Sequence, residues 1–322
     1  MYCQAPVSPL QVDTRTVSPP STLLALSEGW RASLERCSLL GSLPFLRNMP
    51  RGDGHPVYLL PGFTANSESM AMLRRWLDGL GYDAIPWGFG RNLGPRGMLV
   101  ERLIAAVGDL AREHGRPVSL IGQSLGGVFA REIAKAIPNQ IRQVITLCSP
   151  FRQTDTHGTA AGVLRLCEMA AGKKAEDLQR RISDISHPAP VPSTAIYSRS
   201  DGIANWKACI EEETPYTDNI EVYASHSGMS FNPTVYYAIG DRLAQPADRW
   251  RKFARGGIRC CIYYPAAIYA ARTPLPSNPA ISPETAHSSP RSVRKRTERV
   301  RSLRQTLRMR TSRALKPLEE YP

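Results

Sequence analysis

The feature that most constrains this chain is a serine between two glycines, in the motif Gly122-Gln123-Ser124-Leu125-Gly126. The apolar residues 118–121 before it predict a buried strand, and residues 125–136 after it have the spacing of an amphipathic helix. A sharp strand-to-helix turn leaves no room for side chains two residues either side of its centre, which accounts for both glycines. The helix N-terminus behind Ser124 favours negative charge near that side chain. The pattern therefore predicts that Ser124 is a nucleophile.

Strands and helices alternate on both sides of this motif. Predicted strands cover residues 56–60, 83–87, 118–121, 141–147, 194–197 and 220–223, and predicted helices cover residues 66–80, 96–114, 125–136, 204–210 and 232–244. Alternation at these lengths predicts an α/β fold with a mostly parallel central sheet and helices on both faces. Residues 150–192 have helical spacing without a strand pattern, so we expect a small helical cap inserted between two strands.

Composition divides the chain into three parts. Residues 1–50 predict a loose arm rich in Pro, Ser and Thr and then one or two helices. The apolar residues of residues 21–47 recur at helical spacing, so we expect these helices to pack on the main domain, residues 51–257. Residues 258–322 predict a basic tail rich in Pro, Arg and Ser, which is either disordered or a basic amphipathic helix. Most of the net charge of +13 lies near the C-terminal end, because residues from Ala247 onward contain 17 Lys and Arg against 5 Asp and Glu, a balance of +12.

An acid and a base follow the serine in the order Ser, Asp, His. Asp201 comes just after the predicted strand at 194–197, and His226 comes just after the predicted strand at 220–223. Sites in open parallel sheets are built at the carboxyl ends of the strands, so we expect both side chains to approach the serine. His226 is then the base that accepts the serine proton, and Asp201 holds its tautomer. Asp218 is an alternative acid nearby in sequence.

Four stretches carry a resemblance to a known family: Pro61-Gly62-Phe63, Gly122-Gln123-Ser124-Leu125-Gly126-Gly127, Tyr197-Ser198-Arg199-Ser200-Asp201-Gly202 and Ser225-His226-Ser227-Gly228. With them, the region of about residues 50–255 resembles α/β-hydrolases of the lipase and esterase type. The segment from Trp87 to Pro95 is similar to one found in a bacterial group of these hydrolases, and it either lines the pocket or forms a Gly-rich turn. The resemblance implies the α/β-hydrolase fold and the triad roles given above.

The resemblance also implies an oxyanion hole made of two backbone N–H groups, those of Leu125 and Phe63. Gly62 would allow the loop backbone to approach a substrate carbonyl group. Gln123 departs from the family pattern, in which His, Trp or Tyr is more usual, and it would line the pocket wall. The alternative for Phe63 is a core side chain.

The expected activity is the cleavage of small-molecule or lipid-like carboxylic esters through an acyl-Ser124 intermediate, with no metal or organic cofactor. Acyl transfer on the same fold and a non-catalytic, partner-binding role stay open as alternatives. Residues 1–246 are nearly neutral, so no nucleic acid is expected on the catalytic domain, whereas the basic tail suits peripheral contact with anionic surfaces.

Cysteine use and hydropathy predict the compartment. The seven cysteines include no Cys-x-x-Cys pair, which is typical of a reducing environment. The first 20 residues lack a basic start followed by an apolar run, and no apolar stretch approaches the roughly 20 residues of a membrane span. These features predict a cytoplasmic protein.

Overall fold

The computed structural model describes residues 20–152, 185–254 and 263. The helices and strands within them belong to one compact unit, and residues 88–90, which form a bend, fall outside it. The strands are β1 (Pro56–Leu60), β2 (Asp83–Ile85), β3 (Val118–Gln123), β4 (Ile141–Leu147), β5 (Ser193–Tyr197) and β6 (Thr217–Glu221). The helices are α1 (Thr22–Leu46), α2 (Ala71–Leu80), α3 (Leu99–His114), α4 (Leu125–Ala136) and α5 (Pro233–Leu243).

The six strands form one sheet in the spatial order β2-β1-β3-β4-β5-β6, and every neighbouring pair is parallel. Every residue of β1, β3 and β5 is buried, which means that both faces of the sheet are covered. The prediction of a mostly parallel sheet with helices on both faces is confirmed. Because β3 and β4 are central, the turn that follows β3 lies near the middle of the sheet edge.

Glycines end two of the helices where the sequence predicts a stop. Gly81 follows α2 with φ of 98°, and Gly115 follows α3 with φ of 60°. Only a residue without Cβ adopts this left-handed conformation at no cost, so the two helices end sharply. The chain then returns directly into β2 and β3.

The main core lies between the sheet and helices α1, α2 and α5. Its buried side chains include Leu39, Leu46, Val57, Leu59, Leu73, Trp76, Leu77, Ile145, Val235 and Ile239. Helix α1 packs on α5, whereas α3 and α4 pack on each other. Helices therefore pack against strands β1 to β5, and the carboxyl ends of the strands lead into the loops that carry the candidate site.

The last strand begins three residues earlier than its apolar pattern predicts. Residues Thr217, Asp218 and Asn219 pair with β5, although all three are polar. The Asp218 carboxylate is buried but accepts hydrogen bonds from the Arg242 guanidinium and the Phe253 N–H. A paired polar side chain is tolerated inside a sheet, and hydrophobicity alone does not reveal it.

Two other predicted elements are shorter than expected. The predicted helix at residues 204–210 is wrong, and only a 3₁₀ turn is present, Trp206–Ala208. Side-chain oxygens of Asp201 and Asn205 accept backbone N–H bonds there and stabilise turns instead of a helix. Strand β2 ends before Pro86, which has no N–H to donate.

Helix α1 is a single helix of 25 residues, and its burial differs from the amphipathic prediction. Its fully buried side chains are those of Glu28, Leu39 and Leu46. Its exposed apolar side chains are those of Leu23, Leu26, Trp30, Leu34, Leu40 and Phe45. The helix packs on α5, but most of the apolar residues that predicted it face outward.

Several predictions fall outside the described residues. They are the arm over residues 1–19, the helical spacing of the cap within residues 153–184, and the basic tail apart from Tyr263. Among the helices that are described, none has the length and apolar character needed to span a bilayer.

Candidate active site

The predicted nucleophile Ser124 lies between β3 and α4, as its motif indicates. Its backbone has φ of 50° and ψ of −122°, a conformation that costs free energy for a residue with a side chain. The Ser124 N–H donates to the Leu147 carbonyl oxygen at 2.8 Å, which ties the turn to the end of β4. This strained and anchored turn presents the serine at the carboxyl edge of the two central strands.

The glycines around the serine are required by contact distances. A Cβ placed on Gly122 would lie 2.3 Å from the Gly126 carbonyl oxygen, and one on Gly126 would lie 2.2 Å from the Leu60 carbonyl oxygen. Both distances are far below a van der Waals contact, so any other residue would displace the turn or β1. The steric reason given from the sequence for these two glycines is confirmed.

The structure brings Asp201 and His226 together. Asp201 Oδ2 lies 2.7 Å from His226 Nδ1, although the two residues follow different strands. The other carboxylate oxygen, Oδ1, accepts the N–H groups of Ile203 and Ala204, each at 2.7 Å. An ionised carboxylate only accepts, so Nδ1 carries the proton and the lone pair of neutral His226 lies on Nε2. That tautomer is the one a general base requires.

The two groups stabilise each other's charged form. Burial raises the pKa of Asp201, but the charge and hydrogen bond of His226 outweigh burial and hold the pKa below its ordinary value. Burial disfavours the imidazolium of His226, but the charges of Asp201 and Glu28 outweigh burial and raise its pKa. The site thus favours proton uptake by His226.

Asp218 is not placed with the histidine. It lies within β6, where its carboxylate contacts Arg242 and the Phe253 backbone. Asp201 is therefore the acid that the structure places beside His226.

Gln123, next to the nucleophile, contacts the histidine loop. Its Nε2 donates to the His226 carbonyl oxygen at 3.0 Å. The predicted role of Gln123 at the pocket wall stays a prediction, and this hydrogen bond gives it a second role in joining the end of β3 to the histidine loop. The family pattern contains no signal for it, because the partner is a backbone atom 103 residues away.

The predicted oxyanion loop lies against the nucleophile. A Cβ built on Gly62 would lie 3.3 Å from the Cβ of Ser124. Within the residues that the structure describes, the N–H groups of Phe63 and Leu125 donate to no protein acceptor. Two unpaired N–H groups beside a serine are suited to binding a developing oxyanion. Phe63 itself is half-buried.

Asn92 holds the oxyanion loop, a role that the sequence did not predict. Its Nδ2 donates to the Pro61 carbonyl oxygen at 2.8 Å, and its N–H donates to the Ala65 carbonyl oxygen at 2.8 Å. The Thr64 N–H in turn donates to the Asn92 carbonyl oxygen at 2.7 Å. Asn92 is completely buried, so these bonds are shielded from water. This part of the Trp87–Pro95 segment therefore supports the loop.

A buried thiol lies beside the acid and base. Atoms of Cys148, Asp201 and His226 that can bind a metal lie within 4.8 Å of one another, and this is the one such group among the described residues. Asp201 and His226 already share a hydrogen bond. Burial raises the pKa of Cys148 well above its ordinary value, which keeps the thiol protonated. The arrangement fits a proton relay with a neutral thiol beside it better than a metal site.

A cavity of about 820 Å³ lies elsewhere on the molecule. Its lining includes Phe45, Met49, Tyr237 and Arg242, and none of the predicted site residues is among the described residues that line it. The candidate site described above is thus separate from this cavity.

Comparisons with known proteins place part of this chain in a family. Residues 55–219 match the Hydrolase_4 family model, described as serine aminopeptidase, S33. A carboxylesterase of Bacillus subtilis (strain 168) is 24% identical over 190 residues, which cover 56% of this chain and 74% of that protein. The matched region contains Ser124 and Asp201, whereas His226 and helix α1 lie outside it.

Similar solved structures include two lipases. A monoacylglycerol lipase of Paleococcus ferrophilus has a TM-score of 0.45 at 18% identity, over 61% of this chain and 96% of that one. Lipase B of Aspergillus fumigatus has a TM-score of 0.46 at 16% identity, over 62% of this chain and 55% of that one.

Proposed function

This chain belongs to the α/β-hydrolase family matched by residues 55–219, and on that premise we propose that it is a serine hydrolase that cleaves carboxylic esters through an acyl-serine intermediate. The observation that carries the proposal is the 2.7 Å hydrogen bond between Asp201 and His226. The loop that carries His226 is also held by Gln123, the neighbour of Ser124, which donates a hydrogen bond to the His226 carbonyl oxygen. An acid, a base and an elbow serine in this order are the components of acyl transfer.

In the first half of the reaction, Ser124 Oγ attacks the ester carbonyl carbon and its proton passes to His226 Nε2. The carbonyl oxygen becomes an oxyanion, which the N–H groups of Leu125 and Phe63 bind. Asp201 stabilises the imidazolium that forms. The intermediate then collapses, the bond to the alcohol oxygen breaks, and His226 returns the proton to the departing alcohol.

In the second half, water attacks the acyl-Ser124 carbonyl carbon and gives a proton to His226. The ester bond to Ser124 breaks, Oγ recovers the proton from His226, and the carboxylic acid leaves. Each transfer uses the same imidazole nitrogen, so its hydrogen bond to Asp201 is needed in both halves.

Two substrate classes are suggested by the comparisons. The curated relative is called a carboxylesterase, whereas the matched family model is described as a serine aminopeptidase. The same components cleave esters and amides. We favour the ester because the relative named a carboxylesterase is matched over 74% of its own length.

The test is a comparison of p-nitrophenyl esters of increasing acyl length with amino-acid p-nitroanilides, using the wild-type protein and Ser124→Ala. We expect ester turnover that Ser124→Ala lowers by about 10³-fold or more. Turnover of the anilides alone would indicate an aminopeptidase. Equal ester turnover by both proteins would contradict the nucleophile. Transfer of the acyl group to an added alcohol in preference to water would instead identify an acyltransferase.

A further inference from the structure

Helix α1 contributes a buried carboxylate to the loops of both Asp201 and His226. Glu28 Oε1 accepts the Gly202 N–H at 2.9 Å and the His226 N–H at 3.1 Å. Glu28 Oε2 accepts the Ser227 N–H at 3.0 Å. One side chain thus holds the backbone next to the acid and the backbone of the base itself.

Arg31, one turn further along α1, completes this contact. Its Nη2 lies 2.8 Å from Glu28 Oε1, and its Nη1 donates to the Ser200 carbonyl oxygen at 2.6 Å. The Glu28 side chain is 8% exposed and the Arg31 side chain 14% exposed, so the pair is largely removed from water. A carboxylate buried to this extent is stable only with such partners, and three of its partners are backbone N–H groups of the active-site loops.

The helix and the acid loop are in direct backbone contact. A Cβ built on Gly202 would lie 2.5 Å from the Leu24 carbonyl oxygen of α1. No larger residue fits between the helix and the loop. The position of α1 is therefore coupled to the position of Asp201.

We propose that Glu28 is a positioning residue of the active site, which fixes the Asp201 and His226 loops relative to each other and places a negative charge against the His226 backbone. This inference rests on the proposed function, and it extends the active site to a helix outside the family match at residues 55–219. The hydrogen bonds that support the proposal are accepted by the two oxygens of one carboxylate, and their donors belong to two separate loops.

The charged and titratable groups around His226 come from three parts of the fold. The Asp201 carboxylate faces His226 Nδ1 from the loop after β5. The Cys148 thiol, which follows the end of β4, lies within 4.8 Å of the carboxylate and the imidazole. Glu28 faces the backbone from α1, with Arg31 bound to it. Glu35, also on α1, accepts the N–H of Ser225 at 2.7 Å. Among these groups, the charges of Asp201 and Glu28 raise the pKa of His226 against the opposing effect of burial.

The two glutamates of α1 provide a matched comparison. Both hold the histidine loop through backbone N–H groups, but only Glu28 contacts the His226 backbone and the Asp201 loop. Glu28→Gln removes one charge and one acceptor, and Glu35→Gln does the same two turns along the helix. A merely structural role would lower the stability of either variant without changing the titration of His226.

The experiment is an NMR titration of the His226 imidazole in the wild-type protein, Glu28→Gln and Glu35→Gln, together with the pH profile of ester turnover. We expect Glu28→Gln to lower the pKa of His226, since a nearby negative charge favours the imidazolium. The acid limb of the turnover profile should move to lower pH by the same amount. Glu35→Gln should leave both unchanged. A pKa in Glu28→Gln equal to that of the wild-type protein would overturn the proposal.

A second variant tests the hydrogen bonds from Glu28 to the two loops separately from its charge. Glu28→Asp keeps the charge on a side chain that is one carbon shorter, so we expect the pKa of His226 to stay near the wild-type value while turnover falls about tenfold. Wild-type turnover in folded Glu28→Asp would overturn the positioning role. The NMR titration needs no turnover, so a protein without esterase activity would contradict the proposed function and leave the role of Glu28 testable.

Discussion

The side-chain amide of Gln123 donates a 3.0 Å hydrogen bond to the carbonyl oxygen of His226. The residue that precedes the predicted nucleophile thus holds the loop that carries the predicted base. Because Gln123 is the last residue of β3, this hydrogen bond fixes the histidine loop relative to the centre of the sheet. The distance between serine and histidine then depends on a side chain that takes no part in proton transfer.

Gln123→Ala should lower kcat about tenfold and change KM little, because one buried hydrogen bond contributes roughly 1–2 kcal/mol and the histidine loop loses its support. Gln123→Glu is the matched control, since it keeps the shape but places an acceptor against a carbonyl oxygen. We expect the larger loss in Gln123→Glu. Steady-state kinetics on a p-nitrophenyl ester measure kcat and KM for both variants. Equal kcat in all three proteins would remove Gln123 from the positioning network.

Asp201→Asn should fold but lose about 10³–10⁴-fold in kcat, because an amide at this site allows the wrong tautomer of His226. The amide oxygen can still accept the N–H groups of Ile203 and Ala204, which keeps the turn. Circular dichroism checks the fold and ester kinetics give the loss. A loss of less than tenfold in a folded variant would indicate that Asp201 does not orient the base.

Asn92→Ala should lower kcat about 10²-fold, since it releases the Pro61 carbonyl oxygen and loosens the loop that carries the Phe63 N–H. Asn92→Asp retains an acceptor for the Gly94 N–H but loses the donor to Pro61, so it should be as impaired as Asn92→Ala. Ester kinetics measure the effect on catalysis, and thermal unfolding measures the effect on stability. If Asn92→Asp matched the wild-type protein, the Nδ2 bond would not support the oxyanion loop.

His55 should contribute a loss of stability as the pH falls from about 7 to 5. This side chain is fully buried, with Nδ1 2.5 Å from Asp53 and Nε2 2.9 Å from Ser119 Oγ. Burial and then the charge of Arg142 lower its pKa from 6.5 to about 4, despite Asp53. Between these values the unfolded chain binds a proton that the folded chain does not, so the free energy of unfolding decreases with decreasing pH.

The expected loss at His55 is about 2 kcal/mol between pH 7 and pH 5. Urea unfolding at the two pH values measures it. His55→Gln should be less stable than the wild-type protein at pH 7 and should show a smaller dependence on pH. An equal pH dependence in both proteins would mean that other groups carry the effect.

The parts of the site that lie within one local pattern were predictable from the sequence. Ser124 stands between a strand and a helix that apolar periodicity identifies, and Asp201 and His226 each follow a strand at a position where parallel sheets place functional groups. The shift of β6 did not affect His226, because the histidine still follows the strand. The order of elements was sufficient to name these three residues.

Residues that act through distant backbone contacts were not predictable in the same way. Glu28 lies on a helix whose apolar spacing predicted a hydrophobic packing face, yet Leu26 and Trp30 are exposed and Glu28 is buried. The carboxylate is stable inside because N–H groups about 200 residues away pair with it, and such pairing has no local signature. Asn92 is similar, since its role arises only when the chain folds back on Pro61.

The central claim is that Ser124 is an activated nucleophile, and labelling with a fluorophosphonate probe tests it most directly. We predict that the wild-type protein is labelled at one site, that Ser124→Ala is not labelled, and that Asp201→Asn is labelled at least about 10²-fold more slowly. Peptide mapping should locate the adduct in the segment that contains residues 122–126. A folded wild-type protein that resists the probe, or labelling that persists in Ser124→Ala, would contradict the account.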